Sequence, residues 1–583
     1  MASPATTRTV RPLDGLRAQT SGPPGPGAGL VAEHLRLLGA ATDHRGGSHI
    51  AVDGAGFETL AADARWAATA RDVTDEATVQ AATGIMAVHG RRDGGPRGIA
   101  ADYASTATAV LTVQGVLAGL LAQARGGRVA QVSTSADRAG LLAVSQYLAA
   151  AGADEGEAAE LSPGGPPFTS SDGTVFELET LDPGAWAAFW RALDAPETPI
   201  RAGWRPFQFR YATACAPFPE ALHRTAGGCS WERIRYAAKT SGAEVCALRS
   251  LADRGIPEAP PWTLAAHPAA YATGGAPAGL PLAGLTVLEA GRRIQAPLAA
   301  HLLGLLGADV VRIEPPGGDP LRGMPPACSG LSARWLALNR GKRAVEVDIK
   351  AESDRRRLRE MAAGADVFLH NWAPGKAAEL GLDHEHLAAA NPALVYAYTS
   401  GWAGRLSDAP MGTDFMVQAR TGVGEAVRPE GEPPAPSLMT LLDVLGGLLG
   451  AEAVLAGLVL RERTGHGVRV DSSLLGAADV LTAPARGRAA EGLPPRRPAG
   501  FRRPLPTADG WIAPSDSCAG AAAAYDLREL GTEDALAQLR THGLAATAVT
   551  ADLTELHHDP RLAGSIGRDA HGAPAVPDPW SFL

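Results

Sequence analysis

The strongest constraint on what this chain can fold into is that it repeats itself. Residues 111–121 read LTVQGVLAGLL and residues 449–459 read LGAEAVLAGLV. Each run is followed by a Gly-rich turn, RGGRV at 125–129 and TGHGVRV at 464–470. Further on, SDGTVF in the first half is answered by ADGWIA in the second. The halves also open alike, with PLDGL then HLRLLGA, and with PLAGL then HLLGLLGADVV. Self-similarity at so long a period indicates duplication, and two copies make no solenoid. The spacing between matching segments implies gaps between the copies. With 583 residues the chain is too long for one compact core. Between the copies runs GIPEAPPWTLAAHPAAYATGGAPAGLP, from Gly255 to Pro281, rich in Pro, Ala and Gly and without sustained period, which reads as a linker. The expected organisation is residues 1–254, a linker at 255–280, and residues 281–583.

Several function classes are disfavoured by composition. A net charge of −9 provides no electrostatic footprint for nucleic acid. The first residues, MASPATTRTVRPLDG, show no apolar run of the secretory kind. No uninterrupted apolar segment approaches the roughly 20 residues of a membrane helix. The five cysteines (Cys215, Cys229, Cys246, Cys328 and Cys518) are odd in number, scattered and free of CxxC spacing. That fits a reducing compartment and argues against a structural zinc site. The expectation is a cytoplasmic protein with neither nucleic-acid nor membrane partners.

The second half has the more regular pattern. Thr286–Glu289 reads as a short buried strand, Leu298–Leu306 as a helix and Asp309–Ile313 as a second strand. Ala344–Ile349 alternates, 351–363 reads as a solvated helix, and Val367–Leu369 and Leu394–Tyr398 add strands. This order predicts an α/β fold with a doubly wound parallel sheet and ligands at the strands' carboxyl ends. No GxGxxG turn follows the first strand and no P-loop is present, so neither supports a dinucleotide or nucleotide-triphosphate cofactor.

The segments LAGLTVLEAGRRIQAP, LLGADVVRIEPPGGDPLRG, LNRGKRAVEVDIK, ADVFLHNWAPG, ELGLDHEHLAAANPALVYAYTSGW and LRERTGHGVRVDSSLL, in that order, resemble the class III CoA-transferase (CaiB/BaiF) family. The first half resembles a second, degenerate copy lacking the NRGKR and NWAPG segments. The resemblance implies a nucleotide-binding sheet in two tandem copies forming an internal pseudo-dimer, with homodimer formation also open. It implies an acyl-CoA:carboxylate CoA-transferase, with coenzyme A as co-substrate, acyl-CoA and a carboxylic acid acceptor as partners, and no permanently bound cofactor or metal. In such enzymes an aspartate attacks the thioester and passes through an anhydride and an aspartyl thioester.

Asp443, at the start of the apolar run Leu445–Leu460, matches the family nucleophile, and the helix dipole there would keep it ionised. A plain N-cap role is the alternative. Family contacts to coenzyme A map onto Gln295 and Ala296, Lys342 with Arg343 beside it, Lys350, Asn371, Trp372 and Ala373, and Gly401 and Trp402. Three departures stand out. Pro297-Leu298 replaces the usual Gly-Pro, Glu379 stands where an arginine is expected, and no glycine-rich loop lies between Ser472 and Thr507. These keep open an acyl-CoA racemase or isomerase of the same family, or a non-catalytic CoA-binding protein. The racemase histidine position holds Thr413, a poor base, and Asp414 beside it reads as structural. Asp102 invites comparison with Asp443, but aligning the VLAGL segments puts Ser105 there instead.

Overall fold

The computed structural model describes residues 10–43, 46–54, 56–157, 159–253, 259–269, 275–562 and 564–583. The first half opens with β1 (Arg17–Ser21), β2 (His49–Gly54) and β3 (Phe57–Arg65). Then come α1 (Glu76–Ala82), α2 (Tyr103–Ala124), β4 (Gln131–Ser135) and α3 (Ala136–Ala151). A smaller unit follows, with β5 (Val175–Glu179) central in a three-stranded sheet covered by helices. Its core is aromatic, built on Phe168, Phe176, Trp186, Trp190 and Phe207.

In the second half, β6 (Trp262–His267) precedes β7 (Thr286–Ala290), α4 (Gln295–Leu305), β8 (Asp309–Glu314), β9 (Arg343–Glu346), β10 (Val367–His370) and β11 (Val395–Ser400). The chain continues through α5 (Asp414–Arg420), α6 (Leu441–Thr464), β12 (Gly467–Ser473), α7 (Leu474–Ala490), β13 (Trp511–Pro514) and the terminal β14 (Trp580–Phe582).

The seven-stranded sheet of the second half runs β9-β8-β7-β10-β11-β12-β6. Its first six strands are parallel, as the alternation of short apolar strands and helices predicts. The seventh, β6, is antiparallel and comes from the stretch read as a linker, where WTLAAH pairs with β12 from Trp262–Ser472 to His267–Gly467. A proline-rich surrounding hid this edge strand, which needs only one pairing side. Parts of that stretch, 254–258 and 270–274, lie outside the described residues. The first half's sheet is mixed: β1 with β2, β2 with β3, and β4 with β14 are antiparallel, whereas β3 with β4 is parallel.

Helices α2 and α6, which carry the repeated VLAGL, pack against each other at the centre of the molecule. Both are long and apolar enough to span a membrane, and 100% and 94% of their most apolar windows are buried in this core. Sparse Thr, Gln and Glu interrupt them, which is why neither reads as an unbroken apolar run. Gln114 Nε2 donates to the Leu448 carbonyl at 2.7 Å, and Tyr103 Oη reaches the Leu441 carbonyl, 338 residues on, at 3.4 Å. The same shift of 338 residues superimposes α1 on α5 and the starts of α2 and α3 on those of α6 and α7. From α1 to α3 the two copies therefore align without a gap, contrary to the spacing inferred from the segments further out.

Candidate active site

At the carboxyl ends of β7, β10, β11 and β12 opens a cleft of about 970 Å³. It is closed on the far side by Glu179, Leu181, Tyr211 and Glu244 of the first half. Asp443, the third residue of α6, borders it.

The start of α6 has an arrangement that determines how Asp443 is presented. Thr440 precedes the helix with φ 55° and caps nothing with its side chain. The amides of Leu442 and Asp443 instead donate to Asp414 Oδ2 at 2.7 and 2.8 Å. Asp414 also accepts from Gln418 Nε2, and Gln418 is held by Ser437 through both amide atoms (2.8 and 2.9 Å). Asp414 is thus the cap, and the N-cap reading of Asp443 is not what the geometry shows. The expected effect of the helix start is also reversed. Burial, then the neighbouring Asp414 charge, pushes Asp443 well above the usual carboxylate range, while Arg293 pulls the other way. Asp414 itself is raised to about 6, chiefly by burial.

The same scaffold recurs in the first copy with the reactive position lost. Glu76 accepts from the Ala104 and Ser105 amides at 2.8 and 2.7 Å, and Gln80 braces it as Gln418 braces Asp414. Where the second copy has Asp443, the first has Ser105, whose hydroxyl bonds Glu76 at 2.6 Å. The adjacent space holds the buried Arg502 guanidinium, which donates to Asp102 and Asp516 at 2.6 Å each and to the carbonyls of Ile99 and Ala101 at 3.0 Å each. Asp102 is one half of an ion pair, not an exposed nucleophile.

Of the positions matched to coenzyme A contacts, Gln295, Asn371, Trp372, Ala373, Gly401 and Trp402 all border the cleft. Asn371 clamps the turn after β7, accepting from the Arg292 amide at 2.9 Å and donating to its carbonyl at 3.0 Å. Gly401 lies so close to Gly412 that a Cβ would stand 2.5 Å from its Cα. Ala296 is fully buried inside α4, behind the wall. Neither Lys342 nor Lys350 borders this cleft. Lys342 is buried, its ammonium donating to Glu289, the Pro297 carbonyl and Asn339 at 2.8–2.9 Å, and burial lowers its pKa to about 8. It ties the sheet to α4 and is not among the cleft residues. Lys350 is exposed in the turn that follows β9, where its amide donates to Asp348 at 3.0 Å. Glu379 pairs with Lys376 at 2.7 Å on the surface and does not border the cleft. Thr413 donates to Glu179 at 2.8 Å.

Sequence reasoning missed Glu179, Tyr211 and Glu244 because they come from the other copy, and no local motif announces them. It also passed over Arg293, although that residue lies inside the LEAGRRIQAP segment. Among the described residues no group of three His, Cys, Asp or Glu could hold a metal ion.

The chain belongs to CoA-transferase family III, whose description matches residues 55–254 and 282–559. It is 35% identical over 201 residues to the succinyl-CoA:glutarate CoA-transferase of Mus musculus, covering 33% of this chain and 45% of that protein. It is 38% identical over 200 residues to the succinyl-CoA--L-malate CoA-transferase beta subunit of Chloroflexus aurantiacus (33% and 49%). With the acetyl-CoA:oxalate CoA-transferase of Acetobacter aceti the figure is 36% over 198 residues (33% and 51%). The chain spans about half the length of the curated relatives it matches. Among solved structures, a CAIB/BAIF family protein from Brucella suis aligns at 27% identity and TM-score 0.46, over 51% of this chain and 91% of that one.

Proposed function

We propose that this chain is a CoA-transferase that moves coenzyme A between carboxylic acids, with Asp443 as its nucleophile. One observation carries the reading. Among the described residues bordering the cleft, Asp443 is the one carboxylate with no hydrogen-bond or ion-pair partner. Glu179 is held by Arg210 and Thr413, Glu244 by the Met411 amide, Asp414 by the helix start, and Asp471 by Arg469. A carboxylate left unpaired at the mouth of a buried helix costs stability and suits a nucleophile.

In the proposed cycle the Asp443 carboxylate attacks the thioester carbonyl, the C–S bond breaks, and CoA thiolate leaves an acyl–aspartyl anhydride. The thiolate then attacks the aspartyl carbonyl, forming an aspartyl–CoA thioester and releasing the donor acid. The acceptor carboxylate attacks that thioester and regenerates thiolate, which takes the new acyl group and frees Asp443. Gln295, Asn371, Trp372, Ala373, Gly401 and Trp402 line the path we assign to coenzyme A.

The relatives' names suggest dicarboxylic acids as the first substrates to try. The test is intact-protein mass spectrometry after mixing the protein with succinyl- or acetyl-CoA and hydroxylamine. A hydroxamate on Asp443, lost in Asp443→Ala, is expected. A protein that binds CoA but gives no adduct with any donor would sink the transferase reading.

A further inference from the structure

The charges around the cleft leave two cations unpaired. Arg405 is bonded to Asp479 at 2.8 Å and Arg469 to Asp471 at 2.9 Å. Arg292 and Arg293 border the cleft with no acidic partner within ion-pair distance among the described residues. The two differ in what surrounds them. Arg293 alone of the pair is near enough to Asp443 to oppose the upward push on its carboxyl. Its guanidinium lies 5.5 Å from the ring centroid of Tyr211, a residue of the first copy on the opposite wall. It also sits at φ 61°, a conformation uncommon for a residue with a side chain. Asn371 holds the preceding turn in place from both sides. An exposed arginine kept in an unfavourable backbone state, against an aromatic face and beside an unpaired carboxylate, is a strained placement with a use.

Building on the transferase reading, we propose that Arg293, flanked by Tyr211, binds the carboxylate of the acceptor acid next to Asp443. Once Asp443 is acylated or carries CoA its charge is gone, and Arg293 is then an uncompensated planar cation bordering the same cleft. Guanidinium and carboxylate match in a bidentate geometry, which a lysine cannot reproduce. The acceptor subsite is thus built jointly by the two copies, with the cation from the second and the aromatic wall from the first. That gives the degenerate copy a part in selecting the acid.

The test compares wild type, Arg293→Met and Arg293→Lys with succinyl-CoA as donor and glutarate, L-malate or oxalate as acceptor. The donor step is read by hydroxylamine trapping on Asp443 and the acceptor step by steady-state KM for the acid. For Arg293→Met the acceptor kcat/KM should fall about 10- to 100-fold more than the trapping rate, the worth of one charge-assisted hydrogen bond. Arg293→Lys should fall between. The pH dependence of trapping should also move upward in Arg293→Met, since the charge that eases ionisation of Asp443 is removed; a merely structural role would leave it in place. Equal losses in both steps, or an unchanged KM for the acid in a folded variant, would overturn the proposal. Absence of trapping in the wild type would instead strike the transferase reading itself.

Discussion

The first amides of α6 converge on Asp414, so Asp443 enters the helix with its carboxylate uncapped and beside a second acid. Two predictions belong to this pair. A nucleophile with a raised pKa is protonated, and inactive, until the pH passes that value. Asp414 is one cause of the rise, and asparagine caps a helix about as well as aspartate. Asp414→Asn should therefore shift the pH midpoint of hydroxylamine trapping to lower pH, at a stability cost of about 1–3 kcal/mol because its amide nitrogen would face the Gln418 Nε2 donor. The opposite direction would show that the two acids do not interact in this way. The second prediction concerns linkage. A carboxyl whose folded pKa lies above its unfolded value (about 3.9) binds protons more tightly when folded. Its stabilising effect is full at low pH and is lost as the pH rises through the folded value. Asp443→Asn removes that titration. The variant should match the wild type in melting temperature near pH 4 and exceed it at pH 8, as measured by thermal denaturation across that range.

At the scale of elements, the parallel strands and the long apolar helices were legible because each is a local pattern. Short β-rich runs separated by amphipathic stretches have few other solutions. What was not legible was β6, whose pairing partner lies some 200 residues away, and the antiparallel pairings of the first sheet. Neither depends on periodicity alone. The helix pair α4–α6 shows how closely such patterns pack. A Cβ on Gly447 would stand 2.9 Å from the Gln295 carbonyl oxygen and 3.0 Å from Leu298 Cβ, so α4 approaches α6 nearly backbone to side chain. Gly447→Val should cost roughly 1–3 kcal/mol by overpacking and disturb Gln295 at the cleft. A lowered denaturation midpoint together with weaker CoA binding by calorimetry is the expected result. A change in binding with no change in midpoint would contradict the packing argument.

At the scale of the molecule, the copies are knitted together at both ends. The last strand, β14, returns to the first half's sheet, where Trp580 is 5% exposed and its indole donates to the Leu111 carbonyl at 2.7 Å. Trp580→Ala should cost about 3–5 kcal/mol, read in chemical denaturation. A loss within 0.5 kcal/mol, about that of a surface change, would show that the return strand is not an integral part of the fold. The filled space around Arg502 and the serine at position 105 bear on stoichiometry. We expect calorimetry to give one CoA per chain, whereas two would mean that the first copy also binds.

The sequence by itself determined the duplication, the parallel sheet of the second half, the family, and Asp443 as a candidate. These reside in period, composition and short ordered segments. Tertiary structure alone decided which carboxylate caps α6, which lysines are locked into the sheet, and which residues of the first copy close the cleft. Those outcomes depend on side chains far apart in the chain and brought within about 3 Å, a hydrogen bond's length. No local pattern records such pairings, because each side chain's protonation, reach and partner are set by what folding places beside it.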